Sequence, residues 1–249
     1  MYICKNCSMK KYIPNIITLF NLFSGLIALL FVFQQKWMYA ALFVALGILF
    51  DFFDGLAARV LNVSSAVGLQ LDSLADMVTS GIVPAFTMFF LIQNGFQTDV
   101  MHDFKWDFRH LAAFAGLFVA MGSALRLAKF NVDERQTSSF IGLPTPANTL
   151  FIMSIPLVIQ YQNMAEWLQS PYTLIFISFL SAYLLNAEIA LFSLKFKDFS
   201  WKNNREKYIL IVSALILIPL FQFFGIMLVI LLYILLSLIF NRLKKKDEN

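Results

Sequence analysis

Four carboxylates, Asp51, Asp54, Asp72 and Asp76, and one guanidinium, Arg59, share 26 residues of an otherwise strongly apolar sequence. Asp51, Asp54, Gly55 and Ala58 follow the spacing of a single helix face, with Arg59 four residues beyond Gly55. Gly68, Asp72 and Asp76 recur every four residues, again on one face. The connection between the two segments, Asn62–Ala66, is short, so the helices should pack antiparallel with their acids facing each other. Small residues at Gly55, Ala57, Ala58 and Gly68 leave room for close approach of backbone to backbone or of backbone to a ligand. Four unpaired carboxylates repel one another in a low dielectric, and one arginine cannot neutralise them. Divalent cations can. The donors are all oxygen with no Cys or His nearby, which favours Mg²⁺ or Mn²⁺ over zinc. Two such ions bridged by shared carboxylates form the clamp used for in-line displacement at phosphorus, and Arg59 suits a bidentate contact to a phosphate or pyrophosphate. Intramembrane acids also serve ion pathways, proton relays and helix pairing, so a cation- or proton-coupled transporter is the rival from another class.

The elements that must hold these groups are membrane helices. Of 249 residues, 59% are hydrophobic and 14% charged, with 28 Phe and a mean hydropathy of +0.73. That excludes an ordinary soluble domain and predicts an all-α, polytopic membrane bundle. The expected spans are Ile13–Phe33, Trp37–Leu61, Val67–Ile92, Arg109–Phe130, Pro146–Tyr161, Thr173–Phe192 and the long run Tyr208–Phe240. A hairpin breaking near Pro219–Gly225 would divide the last run and give eight spans; seven, with one long tilted helix, is the other count.

Lys and Arg concentrate at Lys10–Lys11, Arg59, Arg126–Arg135, Lys195–Lys207 and Arg242–Lys246. By the positive-inside rule these ends and both termini are cytoplasmic, which puts the acidic motif at the cytoplasmic side and His102 and His110 opposite. The domains expected are a cytoplasmic segment 1–11, a membrane core 12–200, a transmembrane hairpin 201–241 and a basic tail 242–249. The first span reads as retained, not as a cleaved signal. A net charge of +4 and a pI near 9.0 suit anionic lipid surfaces, and no basic-aromatic patch suggests nucleic acid. Cys4 and Cys7 form a lone Cys-x-x-Cys without a second pair or a nearby His, so no zinc site is assigned.

The pattern Asp51-x2-Asp54-Gly55-x2-Ala58-Arg59-x8-Gly68-x3-Asp72-x3-Asp76 resembles the defining motif of the CDP-alcohol phosphatidyltransferases at every fixed position. The resemblance implies that Asp51, Asp54 and Asp72 ligate one divalent ion and Asp51, Asp72 and Asp76 a second. It implies that Asp76 is the general base, and that Gly55 and Arg59 contact the CDP moiety, with Ala58, Gly68 and Ser65 beside them. Pro14, Asn15 and Thr18 resemble the first-helix element next to the nucleotide, although Asn15 and Thr18 are also ordinary helix-start residues.

The motif does not name the acceptor alcohol. Leu74–Ala85, Arg126–Asn131, Phe140–Asn148 and Phe192–Phe199 resemble segments of the serine-using bacterial members of the family. That implies transfer from CDP-diacylglycerol to L-serine with release of CMP. Glycerol 3-phosphate or an inositol phosphate stands as the alternative acceptor. Arg126 and Lys129, three residues apart, are candidates for the serine carboxylate or a lipid phosphate, or else plain positive-inside anchors. Asn131 is expected to cap its helix, and Glu188 to pair with Lys195, Arg126 or Lys129. The expected setting is a bacterial inner membrane with the site facing the cytoplasm, in contact with membrane lipids and as a homodimer.

Overall fold

The computed structural model describes residues 10, 12–63, 65–132, 139–162, 165–192, 200 and 204–247, with the backbone alone at 139–140 and 242–247. Cys4, Cys7, Arg135, Lys195, Lys197 and Lys202 lie outside the described residues, as do the side chains of the basic tail.

The first helix, α1 (Tyr12–Phe33), is built inside out relative to a soluble helix. Its buried positions include Thr18, Asn21, Ser24, Gly25 and Ala28, while Phe20, Phe23, Leu26 and Leu30 point outward. Lipid is as apolar as a protein core, so small and weakly polar residues gather where helices touch. It packs along α2 (Trp37–Val60), which carries Asp51 and Asp54. A tight turn with Asn62 at φ 52° leads into α3 (Ala66–Asp76), and the Ser65 hydroxyl caps α3 by accepting from the Gly68 N–H at 2.9 Å.

Beyond Asp76 the helix widens to π geometry over Met77–Ile82 before resuming as α4 (Val83–Gly95). Pro84 supplies a reason. It has no N–H to give the Ser80 carbonyl four residues back. That carbonyl instead accepts from the Thr149 hydroxyl at 3.0 Å and the Ser123 hydroxyl at 3.5 Å, which ties the π segment to two further helices.

Next come α5 (Phe108–Ala113), a 3₁₀ turn at Phe114–Leu117 and α6 (Phe118–Val132), followed by α7 (Thr145–Tyr161) and α8 (Pro171–Asn186). Pro144 and Pro146 set the start of α7. The sixth span was expected to run to Phe192, but α8 stops at Asn186. Residues Ala190–Phe192 form β2, antiparallel to β1 (Ser139–Ile141), with Phe140 opposite Leu191. The helix end is secured from β1's side of the chain: Leu143 N–H donates to the Leu184 carbonyl and Gly142 N–H to the Ile189 carbonyl, each at 2.9 Å. Gly142 adopts φ +79°, and a Cβ there would collide with the Leu185 carbonyl. Gly142→Ala is therefore expected to cost roughly 1–3 kcal/mol, seen as a lower melting temperature in detergent without loss of helical circular dichroism at low temperature.

The final helix, α9 (Arg205–Asp247), is 43 residues long and breaks at Gln222, whose φ/ψ of 47°/−120° is not helical. A Cβ on Gly225 would strike the Leu217 carbonyl. Eight residues apart in a straight helix would be about 12 Å, so the chain doubles back here. Gln162, at the end of α7, braces the turn by donating to the Phe221 carbonyl (2.8 Å) and accepting from the Phe224 N–H (2.9 Å). The break lies within the expected Pro219–Gly225.

Among the described residues, five helices are long and apolar enough to cross a membrane: Tyr12–Phe33, Trp37–Val60, Ala66–Gly95, Phe108–Val132 and Arg205–Asn241, with Pro171–Asn186 a shorter apolar one. The fold is all-helical apart from the two three-residue strands among the described residues.

Candidate active site

Antiparallel packing of α2 and α3 brings the two acidic faces together. One carboxylate oxygen each from Asp51, Asp54 and Asp72 lies within 4.8 Å of the others, a donor set that could hold a metal ion. No salt bridge neutralises any of the three among the described residues. Three clustered anions in a partly buried position, left without a cation of the protein, fit a divalent ion by charge and by donor type.

Asp54 is buried, and its Oδ2 accepts from the Thr18 hydroxyl at 2.6 Å. Asp76 lies one turn beyond Asp72, outside the three-carboxylate cluster, and its Oδ1 accepts from Asn21 Nδ2 at 3.1 Å. Thr18 and Asn21 both come from α1, so that helix grips one acid of each acidic helix.

A cavity of about 220 Å³ opens beside the carboxylates, lined by Pro14, Asn15, Thr18, Asp54, Gly55, Ala58, Val63, Ser65, Gly68, Leu69 and Asp72. It gathers most of the residues expected around the nucleotide. Gly68 earns its place sterically: a Cβ there would sit 2.9 Å from both Asn15 Oδ1 and Ser65 Oγ. Gly55 faces open space, so its backbone is accessible from the cavity. Arg59 lies outside the lining, exposed on the last turn of α2, where its Nε donates to the Gly55 carbonyl at 3.0 Å.

The two cations of α6 separate. Arg126 is only 5% exposed, with its guanidinium 5.4 Å from the Phe130 ring centre and its Nε without a hydrogen-bond partner, whereas Lys129 is exposed. Asn131 does not cap the helix. It lies within α6 and exchanges hydrogen bonds with Ser73 at 2.9 and 3.2 Å, fastening α6 to α3. Glu188 is exposed beyond the end of α8 and pairs with neither Arg126 nor Lys129, while Lys195 lies outside the described residues.

The histidines are far from the carboxylates, beyond the 30-residue apolar helix Ala66–Gly95. His102 contacts Asp99 at 3.0 Å and His110 contacts Asp107 at 2.7 Å. The hydrogen bond from His102 holds the Asp99 carboxyl below the usual range, and the His110 backbone N–H does the same for Asp107. They form local pairs and take no part in the acidic site.

The model of the CDP-alcohol phosphatidyltransferase family matches residues 11–191, which contain the acidic cluster and its cavity. The chain belongs to this family. Its relatives include three proteins named CDP-diacylglycerol–serine O-phosphatidyltransferase. The one from Helicobacter pylori (strain 26695) is 27% identical over 244 residues, 93% of this chain and 95% of its own. The Bacillus subtilis protein is 34% identical over 136 residues, 55% of this chain and 70% of its own. The Saccharomyces cerevisiae protein is 36% identical over 169 residues, 61% of this chain and 54% of its own. Membership of a CDP-alcohol phosphatidyltransferase family gives the carboxylates a chemical context that packing alone does not: a cytidine diphosphate ester brought against a metal-binding acidic face.

Asn21 joins the acidic site by a contact that the sequence did not single out. Its type and its place in an apolar helix were visible, but the bond to Asp76 crosses 55 residues of chain.

Proposed function

We propose that this chain transfers a phosphatidyl group from CDP-diacylglycerol to L-serine, forming phosphatidylserine and releasing CMP. The observation that carries this reading is a cavity whose wall includes Asp54 and Asp72, in a chain whose relatives from two bacteria and a yeast share one serine-specific name. The serine Oγ attacks the β-phosphorus, the bond from that phosphorus to the bridging oxygen breaks, and CMP departs with the oxygen. Asp76 takes the hydroxyl proton. Asp51, Asp54 and Asp72 would hold one divalent ion, Mg²⁺ or Mn²⁺, and Asp51, Asp72 and Asp76 a second, and the pair would supply neutralisation of the pyrophosphate charge. Asn15, Thr18, Gly55, Ala58, Ser65 and Gly68 shape the CDP pocket, and Arg59 reaches the diphosphate from its exposed edge.

The acceptor reading draws support from buried polar atoms that lack a protein partner. Arg126 Nε, Asn148 Nδ2 and Ser80 Oγ can donate, and Asn186 Oδ1 can accept. Unpaired buried donors complement a carboxylate, and an unpaired acceptor complements an ammonium group. Arg126→Leu is expected to raise the KM for serine about 10- to 100-fold while leaving the KM for CDP-diacylglycerol near its starting value. A change confined to the lipid substrate would point to phosphate binding instead.

The Gln222 turn supports eight spans, each arm of α9 crossing once, and the charge distribution supports cytoplasmic termini and a cytoplasmic active site. The same reading keeps the core 12–200, the hairpin 201–241, a bacterial inner membrane and a homodimer.

The deciding experiment is CMP release from CDP-diacylglycerol by purified protein with Mn²⁺ or Mg²⁺, scanning serine, glycerol 3-phosphate and inositol phosphates. Serine should exceed the phosphorylated acceptors by at least about tenfold. Preference for a phosphorylated acceptor would overturn serine, and cation flux across liposomes without CMP release would overturn transfer itself.

A further inference from the structure

Asn21 is completely buried, yet it sits in the wall between α1 and the end of α3, with its Nδ2 3.1 Å from Asp76 Oδ1. Its other amide atom is equally committed. Thr79 Oγ1, 1% exposed in the π segment, lies 2.8 Å from Asn21 Oδ1 and 3.3 Å from the Asn21 carbonyl. Both of those oxygens only accept, so the hydroxyl must donate, and the nearer is the amide oxygen. A helical threonine commonly turns its hydroxyl back to a carbonyl of the preceding turn. Thr79 is turned across the interface instead.

This arrangement fixes which way the amide faces. Were it flipped, Oδ1 would confront a carboxylate oxygen, two acceptors with no proton between them. Thr79 thus holds Oδ1, and Nδ2–H is left pointing at Asp76, where a charged acceptor strengthens the bond.

The surroundings leave no space for anything else. A Cβ at Gly25 would collide with Thr79 Oγ1, and one at Gly47 would lie 2.7 Å from Thr79 Cγ2 and 3.0 Å from Asn21 Oδ1. Gly47 is one helical turn before Asp51. The Asn21–Thr79 pair is therefore enclosed by α1, α2 and the π segment directly behind the acidic layer.

We propose that Asn21 and Thr79 are positioning residues for the transfer reaction: Thr79 orients the Asn21 amide, which occupies Asp76 Oδ1, fixes the carboxylate and leaves Oδ2 free to serve the reaction site, ion and acceptor alike. This rests on Asp76 belonging to the transfer site proposed above. It also gives the π segment a purpose. Thr79 lies in the widened turn after Asp76, and its hydroxyl reaches Asn21 from there.

The test uses full-length protein in detergent, with whichever acceptor supports CMP release in the wild type. A failure of serine then appears in the wild type, and a failure of this inference appears only in the variants. Thr79→Val keeps shape and removes the hydroxyl. It should lower kcat about 10- to 100-fold, with the KM for CDP-diacylglycerol and its equilibrium binding within about twofold, and Thr79→Ser should restore most of the rate. Asn21→Leu should lose at least as much, and adding Thr79→Val to it should cost nothing further, because Thr79 acts through Asn21. A wild-type kcat in Thr79→Val, losses that multiply in the double variant, or a loss confined to KM would each overturn the inference. Should Asn21→Leu fail to fold, the Thr79→Val and Thr79→Ser pair decides it alone.

Discussion

Asp76→Asn is expected to reduce kcat for phosphatidyl transfer by about 10² to 10⁴-fold, the range spanned by general acid–base catalysis, while CDP-diacylglycerol still binds. The substitution is close to isosteric and removes the basic oxygen. The three carboxylates that cluster within 4.8 Å, Asp51, Asp54 and Asp72, are untouched by the substitution, so the larger part of the metal-binding set survives it. Asn21 Nδ2 can still donate to the amide oxygen of the variant, so the fold should be preserved. Steady-state CMP release, alongside equilibrium binding of CDP-diacylglycerol in Mn²⁺, checks both halves. Turnover at the wild-type rate would remove Asp76 from the role of base, and lost lipid binding would make it chiefly a ligand.

Removal of divalent ions should have an effect of similar size. Chelation with EDTA is expected to abolish CMP release, and Mg²⁺ or Mn²⁺ to restore it. Without cations, Asp51, Asp54 and Asp72 crowd one small volume with no basic side chain paired to them among the described residues, and a pyrophosphate would add like charge. Asp51→Asn and Asp72→Asn should raise the Mn²⁺ concentration needed for half-maximal rate more than Asp54→Asn does. Asp51 and Asp72 are proposed to serve both ions, whereas Asp54 serves one and is also held by Thr18. Activity that survives exhaustive chelation would sink the metal-dependent reading. An equal effect of all three substitutions would sink the shared-ligand assignment.

Much of this site could be read from residue order. Helical spacing placed Asp51 with Asp54 and Asp72 with Asp76, and a short connection made their faces meet; the cluster and cavity follow that expectation. Ser65 and Gly68, singled out by position in the motif, prove to be joined as cap and capped amide. Other features were less legible in the order of residues. Arg126 and Lys129 look equivalent three residues apart on a helix, but one is buried with an unpartnered Nε and the other is exposed. Asn131 looked like a helix end and is a tie to Ser73. The sixth apolar run looked like one span and ends early in a strand.

What the sequence by itself determined is whatever depends on local periodicity and composition: membrane helices, the acidic face of each, a ligand set of oxygens, and the site of the last reversal. What only the tertiary structure decided is which side of each helix faces a neighbour, and hence the links from Asn21 to Asp76 and Thr79, from Gln162 to the Gln222 turn, and from Thr149 to the carbonyl that Pro84 leaves free. The reason is physical. In water an apolar stripe marks the buried face, but in lipid both faces are apolar and the stripe carries no direction. Phe20 and Ala28 are both apolar residues of α1, and only the packing of α2 and α3 against that helix turns one outward and the other inward.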